Sequence, residues 1–109
     1  MTTFQERERA FEAKFAHDEE FRFRVIARRD KLIADWAAER LHLPGSASAD
    51  LIASVLKVHD GAGHDNMMRQ HLAKTFAEHG GTVEPTEIAS AMNDCAAKAR
   101  QQLLEGLPI

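Results

Sequence analysis

The chain has 109 residues, 44% of them hydrophobic and 28% charged, with a formal net charge of −3. A single domain of that size buries roughly two thirds of its unfolded surface and supports a real core, while the acidic balance argues against general nucleic-acid binding. No apolar run approaches the roughly 20 residues of a membrane span, the amino terminus lacks the apolar core of a signal peptide, and Cys95 stands alone, so the expectation is a cytoplasmic protein without disulfides.

Residues 1–18 form the first unit. Phe4, Phe11 and Phe15 recur at helical spacing, which places three aromatic positions on one face of a helix. Charge fills the other faces through Glu6, Arg7, Glu8, Arg9, Glu12 and Lys14, and Thr3 with Glu6 forms a capping box for a helix beginning near Phe4. An isolated helix shorter than about 12 to 15 residues is marginal in water, so this unit is expected to be a mobile amphipathic arm. Three fates are open to it: folding its rings back onto the domain, fraying as a terminus, or seeking a groove on a partner.

Residues 19–109 predict an all-α domain. No stretch sustains a period of two, Tyr is absent, and helix formers dominate. The first helix is predicted over about 19–43, with Asp18 as N-cap, an apolar stripe of Phe21, Val25, Leu32 and Trp36 with Ile33 beside it, and a stop at Pro44 and Gly45. The second is expected over 47–59, starting near Ser46 to Ser48 and using Leu51, Ile52, Val55, Leu56 and Val58. The third is expected over 65–79, with Asp65 as N-cap, Met68, Leu72 and Phe76 inward, and Gly80 and Gly81 as terminators. The fourth is expected over 85–105. There Glu84 caps before Pro85, Glu87 closes a capping box, Val83 staples to Ile88, and Ile88, Met92, Cys95, Ala99 and Leu103 face inward. Short connections favour antiparallel neighbours, hence an antiparallel four-helix bundle carrying the mobile arm.

The positive charge is uneven. Residues 21–43 hold six basic and three acidic side chains, against three and six in residues 1–20. Arg22, Arg24, Arg28, Arg29 and Lys31 suit phosphate oxygens, and the same positions are where long basic stems shield a core edge. Trp36 reads first as a core residue and second as a stacking platform for a base. His59, Asp60, His64 and Asp65 fall close together, but HExxH is absent and Ala62 and His64 occupy calcium-loop ligand positions, so no metal is expected and a solvated turn explains the segment. Neither a phosphate-binding P-loop nor a dinucleotide turn is present, no nucleophile and base pair stands out, and Cys95 among alanines reads as an inert thiol. The expectation is a chain with no catalytic residues and no required cofactor.

The segments F-x-x-R-E-R-A-F-E-A-K-F-A-H-D from Phe4, A-R-R-D-K-L from Ala27 and W-A-A-E-R-L from Trp36 resemble the zeta subunit family of alphaproteobacterial F-type ATP synthases. The resemblance implies a four-helix bundle whose arm inserts at a catalytic interface between alpha and beta subunits, beside gamma, and blocks ATP hydrolysis. On this chain the implied arm residues are Phe4, Arg7, Glu8, Arg9, Ala10, Phe11, Glu12, Lys14 and Phe15. It also implies ADP or ATP as a regulatory ligand, for which Arg28, Arg29, Lys31 and Trp36 are the candidates. A monomer when free, peripheral to the inner membrane through the synthase, completes the expectation. The segment VHDGAGHDNMM departs from the acidic, glycine-containing stretch usual in the family.

Overall fold

The computed structural model describes residues 3–58 and 60–106, without the side chains of residues 4, 8 and 10–16. Among these residues it is all-helical, with four α-helices: α1 Phe4–Arg40, α2 Gly45–Leu56, α3 His64–Glu78 and α4 Pro85–Leu104. His59 and the terminator Pro108 lie outside the described residues.

α1 is where the structure departs most from the expected layout. Its first turn is fixed by the predicted capping box: the Glu6 amide donates to Thr3 Oγ1 at 3.2 Å, and the Thr3 amide donates to Glu6 Oε2 at 3.1 Å. From there the helix runs unbroken to Arg40, so no helix starts at residue 19 and Asp18 is an interior residue rather than an N-cap. The sequence between the two expected units holds no Gly or Pro, and Arg24 donates to Glu20 at 2.7 Å one turn away, so nothing local ends the helix. It does end about one turn before Pro44. His42 takes a left-handed φ of 53° and the Leu43 amide donates to the Ala38 carbonyl, closing the helix earlier than the expected residue 43.

The other boundaries shift by a few residues for identifiable reasons. α2 starts at Gly45 because Pro44, extended at φ −78°, serves as its N-cap residue in place of the expected serines. α3 starts one residue before Asp65, with Gly63 at φ 79° as its cap residue, which frees the Asp65 carboxylate for another partner. At α4, Glu84 occupies the N-cap position but its side chain makes no cap bond, and Glu87 closes no capping box; it accepts from Arg40 of α1 at 2.6 Å instead. Val83 and Ile88 both pack on the core, as a staple would.

The core lies at the C-terminal end of α1. Ile33, Ala34, Ala37 and Ala38 meet Leu51 and Val55 of α2, Met68, Leu72 and Phe76 of α3, and Ile88, Ala91 and Met92 of α4. The seam on α1 is therefore Ile33 with alanines rather than the larger Leu32 and Trp36, which sit at its edge half-buried. Small residues there let α4 approach, and α1 packs most extensively on α4 and then on α2. Trp36 borders the core, its ring centroid 5.6 Å from that of Phe76 at a 43° tilt.

Candidate functional site

Above the apolar core, toward the N-terminus of α1, the interior turns polar. Arg28, Arg29 and Asp30 are all more than nine-tenths buried. Arg29 donates through Nε and Nη2 to Asp30 Oδ1 at 3.1 and 2.9 Å, and reaches Asp65 Oδ1 of α3 at 2.8 Å. The other oxygen of Asp30 meets His64 Nε2 at 2.6 Å, and His64 is itself only 7% exposed. On the α4 side Arg28 Nη1 donates to Gln102 Oε1 at 3.0 Å. These bonds form a clasp that ties the middle of α1 to the start of α3 and the end of α4. No fully buried side-chain nitrogen or oxygen among the described residues lacks a partner.

Burial works against the Arg29 charge, but its bonds to Asp65 and Asp30 outweigh that cost and hold the guanidinium above its ordinary value. The same bond from Arg29 holds Asp65 below the ordinary carboxylate range. A carboxylate with a depressed folded-state value contributes stability that is present above its unfolded value and lost as pH falls through the folded one. Asp65→Asn is therefore expected to melt below the parent at neutral pH, by about 1 kcal/mol or less because the Asp65 side chain is half exposed. Thermal melts between pH 6 and 2.5 should show that difference shrinking once the pH drops below about 4.

The residues proposed from sequence as a nucleotide site are not brought together. Arg28 and Arg29 point inward and are committed to Gln102, Asp30 and Asp65, whereas Lys31 is exposed. Trp36 lies beyond the core, lining a cleft of about 370 Å³ with Arg40, Glu87 and Cys95. Cys95 is half-buried, and burial pushes its thiol up. The turn read as solvated carries a buried His64, and among the described residues no three His, Cys, Asp or Glu side chains converge as a metal set.

Beyond the clasp α1 continues toward Thr3. Every described side chain from Thr3 to Glu20 is exposed, including Arg7 and Arg9 of the expected arm, and Phe21 is the first to be half-buried. Phe4, Glu8, Ala10, Phe11, Glu12, Lys14 and Phe15 lie on the same helical backbone, and their side chains lie outside the described residues. A helix of this length spans roughly 55 Å at 1.5 Å per residue, in keeping with a longest molecular extent of 64 Å. No helix among the described residues is long and apolar enough to cross a membrane.

The described residues thus form a helical body from whose core α1 runs on toward Thr3. A family model, ATPase inhibitor subunit zeta, matches residues 1–102, nearly the whole chain, and the chain belongs to that family. No curated protein and no solved structure matches it.

Proposed function

We propose that the chain is a non-catalytic regulatory subunit that holds back ATP hydrolysis by an F-type ATP synthase. In this reading its helices form an antiparallel four-helix bundle, and residues 4–15 insert as a helix at a catalytic interface between alpha and beta subunits, next to gamma. The observation that carries it is the exposure of α1 ahead of Phe21: the described side chains of that segment have no cover within the chain. Each Phe ring buried in a partner groove stabilises the complex by up to about 1.5 to 3 kcal/mol, and Arg7, Glu8, Arg9, Glu12 and Lys14 set register and reject wrong partners. The protein works from the cytoplasm, at the membrane only through the synthase. Deleting Met1 to Asp18 is expected to leave the helical circular dichroism of the body in place while abolishing inhibition. The assay adds purified protein to the cognate ATPase depleted of its own copy and measures hydrolysis and synthesis separately; equal inhibition by the truncated chain rejects the arm.

A second reading makes ADP or ATP a regulatory ligand. Its support is the flank of α1 that carries Arg24 and Lys31, both exposed, which suits phosphate oxygens.

A further inference from the structure

Between the clasp and the projecting part of α1 lies an open groove of about 860 Å³. Phe23 and Ile26 of α1 form one wall, and the Gly61 to Gly63 turn with the first residues of α3 forms the other. A smaller adjoining cleft puts Leu56 of α2 beside the same two residues. Phe23 is 65% exposed and Leu56 53%, two of the four large apolar side chains that are exposed among the described residues. Scattered exposed apolar residues are ordinary, but neighbours around one concavity mark a contact surface.

The helical step ties this groove to the arm. At about 100° per residue, Ile26 falls within roughly 20° of position 15, 40° of position 4 and 60° of position 11. Ile33, fully buried in the core, is in line with position 15. One face of α1 thus runs from the arm through the groove into the core, where Ile33 is buried. Positions 15 and 26 are about 16 Å apart along the unbroken helix. A partner that takes the arm in a cleft therefore has its rim at the groove.

We propose that the groove is a second foothold on the ATP synthase, receiving an apolar side chain from the subunit surface that borders the cleft occupied by the arm. The proposal rests on the inhibitory reading of the arm. An arm of about 15 residues falls short of the roughly 20 to 30 residues per side of a standard interface, and the groove supplies area beside it. The lining favours a protein over a polyphosphate, because Glu19, Asp60 and Asp65 face Arg22 and Arg69 and leave no net positive field.

The test uses the full-length chain, the ATPase depleted of its own inhibitor, and separate readings of the binding Kd and of inhibition at saturation. Phe23→Ser is expected to raise Kd about tenfold or more while saturating protein still inhibits fully. Leu56→Ser, on another helix, should do the same and carries the test if Phe23→Ser melts below the parent. Parent-like Kd in both variants overturns the foothold and leaves the arm standing. Parent-like inhibition by a Phe11→Ser, Phe15→Ser double variant overturns the arm reading, which the groove variants do not touch. Groove variants that bind the ATPase like the parent, yet lose an amide-shift response to ADP or sediment as a smaller species, overturn the proposal and give the groove to a nucleotide or to a second copy.

Discussion

Asp30→Ala is expected to lower the unfolding free energy by about 3 to 5 kcal/mol, read from urea or thermal unfolding, which is a large share of the total for a domain of this size. The carboxylate holds two cationic or proton-bearing partners at once, Arg29 through Oδ1 and His64 through Oδ2, and all three side chains are under a tenth exposed. Removing it leaves the Arg29 charge in the interior with only the half-exposed Asp65 to offset it. That penalty exceeds what the pair contributes when intact, because the cost of an unmatched buried charge is not softened by water. The exposed pair Arg40 and Glu87 makes the contrast. It has a similar 2.6 Å separation, but both side chains are about half exposed, so Glu87→Ala is worth under about 1 kcal/mol. Burial, not distance, separates the two cases.

The clasp also explains how α3 is held. α1 packs extensively on α4 and α2, and α3 on α4 and α2, while α1 and α3 are not among the extensively packed pairs. Beside the ring contact of Trp36 with Phe76, they are linked by polar bonds from Arg29 and Asp30 to His64 and Asp65. Loss of Asp30 is therefore expected to loosen the start of α3 and the groove wall it forms before it loosens the core around Ile33 and Phe76, and amide exchange should rise first at residues 60–66.

What was legible in the sequence was governed by period and by backbone chemistry. The core residues Val55, Met68, Leu72, Phe76, Ile88 and Met92 follow the apolar spacing, and the Thr3 box and Pro85 fix two helix starts. Acidic side chains at helix starts were less reliable guides, because a carboxylate that could cap its own helix can bind a distant arginine instead. Asp65 goes to Arg29 and Glu87 to Arg40, each across a helix interface that local pattern does not contain. The clasp was missed for the same reason. Arg28 and Arg29 read as phosphate donors only while Asp30 between them and Lys31 is ignored, and His64 looked like a turn residue until a carboxylate on another helix was placed 2.6 Å from it. Asp30 lies opposite the stripe of Phe21, Val25, Leu32 and Trp36 and shares the face of Ala34 and Ala37, so its burial follows only once that alanine seam is known to face the core.

The continuity of α1 leads to a sharp expectation for Glu19→Pro. If a helix began at residue 19 with Asp18 as its cap, proline would stand at the first helical position, where its missing N–H and fixed φ are favourable. In an unbroken Phe4–Arg40 helix the same residue removes a backbone hydrogen bond and collides with the carbonyl one turn earlier, at a cost of about 3 kcal/mol. Because Val25 is the first buried residue among the described side chains of α1, the body should melt close to the parent temperature while residues 3–18 lose helical amide shifts and exchange protection. Inhibition should then require at least tenfold more protein, since the arm is no longer aimed by the clasp and must be ordered on the partner at entropic expense. A variant whose upstream residues keep parent-like helical shifts would show that the arm and the body are separate helices in solution. One that loses those shifts yet inhibits like the parent would show that the arm works on a flexible tether, with α1 contributing reach but not direction.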